Sequence, residues 1–295
     1  MDRKTLLMII NPRAGRSKPM GPLLDAATVL SEGGYLLSLH KTSAPRDAMV
    51  HAAKYGGDYD VVVAVGGDGT LNEVACGLMQ LEHPPLLGYL PQGSTNDFAA
   101  SLQIPAEPAE AARRLLSSRP RRLDVGLWNR RHFMYVATFG AFTRTSYTAP
   151  QAAKNALGHF AYILEGMKDL NSLRPYQVRI TADGETLDGE YLFGAVSNST
   201  SIGGLMRLDP QRVVLDDGKF ELLLVPSPKT AADLQNLVRA LLEQRYDGGG
   251  LIFRHISSLH LETDSAPAWS LDGEYAPSSP VVDIVNRHQA LEVLL

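Results

Sequence analysis

Near residue 120 the hydrophobic rhythm of this 295-residue chain changes. Before that point, continuous apolar runs (TLLMIINP, YLLSLHKT, DVVVAVGG and LLGYLPQG) alternate with segments of helical periodicity. A run with no polar alternation is a strand buried on both faces, and strand-helix alternation puts such strands in a parallel sheet covered by helices. Two helical segments, PLLDAATVLSEGG and PRDAMVHAAKYGG, end on paired glycines, as helix C-termini commonly do. After RPRRLDVGLWN, strand follows strand: RHFMYVATFGA, QVRITADG, EYLFGAVSN, RVVLDDGKFELLLVP, LIFRHISSLHLETD and VVDIVNRHQALEVLL. Helical patterns interrupt this half only near Ala152–Leu173 and Ala231–Arg245. The expectation is an α/β domain with a doubly wound, mostly parallel sheet over residues 1–123, followed by a mainly antiparallel β-sandwich domain over residues 124–295. In the first domain, ligands should gather at the carboxyl ends of the strands.

Charge and cysteine content narrow the chemistry. With 28 Lys and Arg against 32 Asp and Glu, the net charge of −4 gives no overall electrostatic case for nucleic acid as the principal partner. Cys76 is the only cysteine, which excludes an intramolecular disulfide and a thiolate zinc cluster and suits a reducing cytoplasm. The apolar part of MDRKTLLMIINP is too short for a signal-peptide core, and no stretch approaches a membrane span, so a cytoplasmic protein is expected. None of the histidines has metal-ligand spacing.

The most informative stretch is VVVAVGGDGTLNEVACGLM, from Val61 to Met79. A buried strand enters Gly66, Gly67, Asp68 and Gly69, then a helix with an apolar stripe at Leu71, Val74, Ala75 and Leu78. Glycines permit close backbone approach and a helix N-terminus supplies N–H groups, the two requirements of a phosphate site. The spacing matches neither the Walker nor the dinucleotide pattern. Thr70 and Glu73 also read as a capping box, T-x-x-E, which gives Glu73 a structural role as good as a functional one. Asp68 is different, because a carboxylate in a phosphate turn repels its ligand unless a cation lies between them; organising Mg²⁺ on a nucleotide is the expected role.

GGDGTLNEV, preceded by NPRAG and followed by PQGSTNDFA, resembles the diacylglycerol kinase catalytic-domain family, most closely its soluble bacterial lipid kinases. The resemblance continues through LDVG at Asp124, VSNSTSIGG, DDGKFEL and LDGE at Leu271–Glu274, in order along nearly the whole chain. It implies ATP as co-substrate, bound by Asn11, Pro12, Arg13, Ala14 and Gly15, by Thr42, by Gly66, Gly67, Asp68, Gly69, Thr70, Leu71 and Asn72, and by the hydroxyl of Ser94. The family usually has G-T-x-N-D in the fourth turn; here it is G-S-T-N-D, so Thr95 is an alternative to Ser94. Ser94 and Asp97 can also be read as an N-cap pair. The resemblance further implies Mg²⁺ held by the Asp217 carboxylate and the carbonyls of Val214 and Lys219, although a DDG turn between two strands is also a good hairpin turn.

LDGEY occurs twice, at Leu187–Tyr191 and Leu271–Tyr275. The first copy follows a DG hairpin turn at Asp183–Gly184 and reads as a charged outward strand. By chain order the second is the family's catalytic D-G-E, which implies Asp272 as general base, with Glu274 positioning it or the metal, and Asp68 as the third catalytic acid. The implied acceptor is diacylglycerol or a related lipid alcohol. An apolar groove for it is expected near MYVATFGAF and the helix carrying Phe160, Tyr162 and Leu164, residues that also serve as ordinary core. Arg113, Arg114, Arg119, Arg121 and Arg122 form a basic cluster able to meet an anionic membrane surface transiently, at the inner face of the membrane, or simply to be solvated. An exposed strand edge in the second half would allow a homodimer. Two other readings stand beside the lipid kinase: an NAD kinase-like phosphotransferase, and a nucleotide- or lipid-sensing module without turnover.

Overall fold

The apolar runs of the first half become parallel strands β1 (Thr5–Ile10), β2 (Leu36–Lys41), β3 (Val61–Gly66) and β4 (Leu86–Pro91), in the spatial order β2-β1-β3-β4. The computed structural model describes residues 3–15, 21–94, 96–140, 174–202, 206–246 and 248–295. The chain divides into two compact units, Met1–Val125 with Gln289–Leu295, and Gly126–His288. The linear boundary expected at Asp124 is therefore corrected at the far end: the last seven residues return to the first unit. Their reason for doing so is local, since Val293 adds in parallel beside Leu87 of β4 and buries completely.

All six residues of β3 are buried, as a central strand covered on both faces requires. Helices α1 (Gly21–Glu32) and α5 (Pro108–Ser117) pack together, and α2 (Asp47–Tyr55) packs on α3 (Asp68–Leu78); a short α4 (Asp97–Ser101) follows β4. Leu6, Met8, Val61, Val63, Val65 and Leu90 of the sheet meet Leu30 of α1 and Ala112 and Leu115 of α5 in one core cluster. Each large apolar side chain so buried contributes about 1.5–3 kcal/mol. After β2 the chain comes back to the other side of β1, so the strand order reverses between β1 and β3. In open α/β sheets such a reversal point, at the carboxyl ends of the two strands, is where ligands bind.

Among the described residues, the second unit is built from antiparallel strand pairs. Its strands are the end of β5 (Pro120–Trp128), β6 (Arg131–Phe133), β7 (Val136–Gly140), β8 (Tyr176–Ala182), β9 (Glu185–Ser197), the small β10 (Ser201–Ile202) and β11 (Met206–Arg207), β12 (Phe220–Pro226), β13 (Ile252–Ile256), β14 (Ser258–Glu262), β15 (Trp269–Leu271), β16 (Glu274–Ala276) and the start of β17 (Val281–Leu294). Helix α6 (Ala231–Leu242) opens on a capping box between Thr230 and Asp233. The core gathers Trp128, Phe133, Phe139, Phe220, Leu222, Leu224 and Trp269.

Three expected elements differ. LIFRHISSLHLETD is two strands, because β13 pairs with β12 while β14 pairs with β8 and β17, and Ser257 between them donates its N–H to Asp183. RVVLDDGKFELLLVP is strand only from Phe220; its first half is irregular, and the DDG turn does not join two strands. RPRRLDVGLWN, expected to hold the boundary, is itself strand β5. The helix expected at Ala152–Leu173, with Phe160, Tyr162 and Leu164, lies outside the described residues, as does Thr95.

Candidate active site

At the end of β1, Asn11 donates from Nδ2 to Thr70 Oγ1 at 3.1 Å, and its own N–H reaches Val65 O at 2.9 Å. The NPRAG and GGDGT turns are thus joined side chain to side chain at the reversal point of the sheet. Asn11 Oδ1 accepts the Arg13 N–H, and Gly15 takes φ 66°, which bends the turn back. Pro12 and Arg13 are exposed, Ala14 and Gly15 half-buried. Thr42, at the end of β2, gives its N–H to Ile10 O. Three of the four expected turns are therefore registered on one sheet edge by backbone bonds.

The fourth turn, after β4, is pressed against the glycine turn. A Cβ on Gly93 would lie 2.5 Å from Gly67 Cα and 2.6 Å from Asn96 Oδ1, so both positions need glycine for the approach. Gln92 donates its N–H to Gly66 O at 2.6 Å, and Asn96 brackets Gly93, accepting its N–H at 2.8 Å and donating to its carbonyl at 3.0 Å. Ser94 is exposed on this turn. The buried Tyr89 hydroxyl lies 3.2 Å from Gly66 O and 3.3 Å from Asn96 Oδ1. Burial pushes its acidity well below that of a free phenol, with Asp68 and Asp97 acting the same way, so it stays a neutral donor.

Asp68 does what no local pattern indicates. Its two carboxylate oxygens accept the N–H groups of Asp97 (3.0 Å) and Phe98 (3.2 Å), capping α4 across the fold. Burial raises its carboxyl above the ordinary value, against the amide bonds from Asp97 and Phe98, which favour the charged form. In this structure Asp68 ties two turns together. The Ser94–Asp97 N-cap reading is corrected accordingly: Asn96, in the left-handed region at φ 53°, holds the N-cap position and supplies no capping bond. The capping box of Thr70 and Glu73 is corrected too. Helix α3 begins at Asp68, with Gly67 at the N-cap and no side-chain cap, so Thr70 lies inside the first turn, buried against Asn11. Glu73 instead accepts the N–H of Arg46 at the start of α2. Leu71 is fully buried and gives its N–H to Gly67 O, and Asn72 is buried beside it near the start of the helix.

In the second unit the two LDGEY copies have different backbones. Asp188 lies within β9, exposed and paired with Arg179 at 2.9 Å. Asp272 and Gly273 form the tight turn between β15 and β16, at φ 49° and 84°. The Asp272 side chain is 2% exposed and accepts three amides, from Met134 (2.6 Å), Tyr135 (2.9 Å) and Val136 (3.0 Å). Its own N–H returns to Val136 O at 2.8 Å. One carboxylate thereby fastens the hairpin to the link between β6 and β7. Glu274, on β16, is half-buried.

The residues expected to hold a metal lie on the irregular stretch before β12. Asp217 and Lys219 are exposed and Val214 is 44% exposed, with Asp217 Oδ1 accepting the Lys219 N–H. Among the described residues no three His, Cys, Asp or Glu side chains converge as a metal cage. A turn carboxylate and backbone carbonyls suit a hard cation that keeps several waters. Glu221, which the sequence reading did not single out, is a lone charge inside FELLLV, 1% exposed; burial pushes its carboxyl up to about 8, with the Asp217 charge adding. A charged residue at an inward position of an apolar strand is the signal that could have found it.

Comparison with known proteins accords with this layout. Residues 5–128 match the diacylglycerol kinase catalytic domain, and residues 138–295 match the YegS C-terminal NAD kinase beta sandwich-like domain. A diacylglycerol kinase of Bacillus subtilis is 34% identical over 295 residues, covering 99% of this chain and 96% of that one. A diacylglycerol kinase of Staphylococcus aureus is 30% identical, covering 99% and 92%. The crystal structure of a diacylglycerol kinase from Bacillus anthracis superposes with a TM-score of 0.81 at 24% identity, over 100% of this chain and 98% of that one, and so shares the fold. With the glycine turn, its partner turns and both halves of the chain accounted for by these matches, the protein belongs to the diacylglycerol kinase family.

Proposed function

We propose that this protein is an ATP- and Mg²⁺-dependent lipid kinase that transfers the γ-phosphoryl group to the hydroxyl of diacylglycerol or a related lipid alcohol, giving a phosphatidic-acid-like product. The observation that carries the nucleotide half is the contact of Gly67 with Gly93 beside an α3 N-terminus whose N-cap residue, Gly67, has no side chain. Amide donors at such a terminus, with glycine backbone close by, suit a polyphosphate. Asn11 and Thr70 hold this surface in register, and Asp68 sets the spacing of the two turns. Phosphoryl transfer depends chiefly on alignment and charge neutralisation, and the Mg²⁺ assigned to Asp217 with the Val214 and Lys219 carbonyls would supply part of that neutralisation.

Asp272 is the proposed acceptor of the lipid hydroxyl proton. Three amides fix its carboxylate in one orientation. Because the same amides make it a structural latch, activity of Asp272→Asn is informative only beside a measured melting temperature. Arg113 and Arg114 on α5, Arg119 in the link and Arg121 and Arg122 on β5 are exposed, Arg122 paired with Glu292 at 2.8 Å, and the group supports transient contact with an anionic membrane surface from the cytoplasmic side. Among the described residues no helix is long and apolar enough to cross a membrane.

One observation favours a second reading, phosphorylation of NAD: the C-terminal match is to a domain described as NAD kinase beta sandwich-like. The purified protein should be incubated with Mg-ATP and diacylglycerol, ceramide, sphingosine, undecaprenol or NAD, and phosphate transfer followed. Transfer to a lipid alcohol is expected. Transfer to NAD alone would establish the second reading, and nucleotide binding without any transfer would identify a sensing module.

A further inference from the structure

Glu221 occupies a position where a carboxylate is costly. It sits near the start of β12 with Ser197 of β9 opposite it on one side and His255 of β13 on the other, inside a strand whose other members are apolar. Its Oε2 is buried with no hydrogen-bond partner, and so is the Ser197 hydroxyl. His255 Nε2 is 3.9 Å from Glu221 Oε1, too far for a hydrogen bond, and at 2.9 Å it engages the Arg212 carbonyl instead. The charge of Asp217, four residues back along the chain, adds repulsion.

A buried carboxylate oxygen without a partner is an arrangement that either a proton or a cation resolves. The backbone around it is already tied down: Leu215 O accepts from Asn198 Nδ2 at 3.2 Å, and His288 Nε2 is 3.0 Å from Asp216 O. Mg²⁺ takes one or two carboxylates and retains waters, so two acidic side chains and backbone carbonyls suffice to hold it. We propose that Glu221 is a second acidic arm, beside Asp217, of a divalent-cation site at the Asp216–Gly218 turn. This deepens the Mg²⁺ dependence proposed above and rests on it.

The test uses Mn²⁺ as a spectroscopic probe, titrated into full-length protein without nucleotide and followed by electron paramagnetic resonance. The wild type should bind Mn²⁺, Asp217→Asn should lose the site, and Glu221→Gln should weaken binding by about tenfold or more while melting in EDTA no earlier than the wild type. Glu221→Leu, which continues the apolar run, carries the same expectation if the glutamine variant does not fold. Wild-type affinity in the Glu221 variants, with binding lost in Asp217→Asn, overturns the role of Glu221 and leaves the turn as the cation site. Binding unchanged in all variants, or absent from the wild type, overturns both, whereas the lipid assay decides the kinase reading separately.

Discussion

The carboxylate of Asp68 accepts the N–H of Asp97 at 3.0 Å, so an acid from the turn after β3 caps the helix that follows β4. The glycine contact between those turns, the Asn96 bracket and this cap form one rigid assembly.

Removing that cap should loosen the fourth turn. Asp68→Ala leaves the amides of Asp97 and Phe98 without their acceptor, at a cost of roughly 1–3 kcal/mol. Urea unfolding of the variant should show the loss, and equilibrium dialysis should show weaker ATP binding. Unchanged stability would remove the proposed link between the turns.

The close approach of Gly67 and Gly93 predicts a sharp difference between glycines. Gly93→Ala forces its Cβ to 2.5 Å from Gly67 Cα and should destabilise the protein by about 1–3 kcal/mol through backbone displacement, with nucleotide affinity falling as well. Gly57→Ala meets only Leu81 Cδ1 at 3.9 Å and should stay within about 0.5 kcal/mol of the wild type. Thermal melts and nucleotide titrations of the two variants make the comparison.

The two copies of LDGEY should respond oppositely to the same substitution. Asp272→Asn turns an amide nitrogen toward backbone N–H donors and is expected to lower stability by roughly 2–3 kcal/mol and turnover by about 10²-fold or more. Asp188→Asn loses an exposed ion pair with Arg179, worth at most about 1 kcal/mol. A variant of Asp272 that keeps wild-type turnover while melting early would assign it to structure alone.

Asp183 gives a pH-dependent contribution. Burial acts to raise its carboxyl, but the N–H and hydroxyl donors of Ser257 and Ser258 outweigh it and hold the group below its ordinary 3.8. Because the folded value is the lower one, the stabilisation is present above 3.8 and is lost as pH falls through the folded value. Asp183→Asn, which tolerates the left-handed φ of 45°, should keep the turn and flatten this acid limb in denaturation curves measured from pH 6 downward to about 2. An acid limb identical to that of the wild type would contradict the assignment.

Periodicity and turn chemistry are local properties, and they were legible in the chain. The buried runs at Leu6–Ile10 and Val61–Val65, the glycines at 66 and 67, and the DG hairpin at 183–184 follow from residue types within a few positions of one another. Chain order separated the two LDGEY copies, yet neither the tight turn at Asp272 nor its three amide partners could be read from an identical pentapeptide. Those partners lie 136 to 138 residues away. Likewise, Asp68 finds its amides 29 and 30 residues on, and Glu73 caps a helix 27 residues back rather than its own. A polar side chain has several chemically equivalent partners along any chain; which one it meets is decided when the strands take their order and bring distant turns within 3 Å.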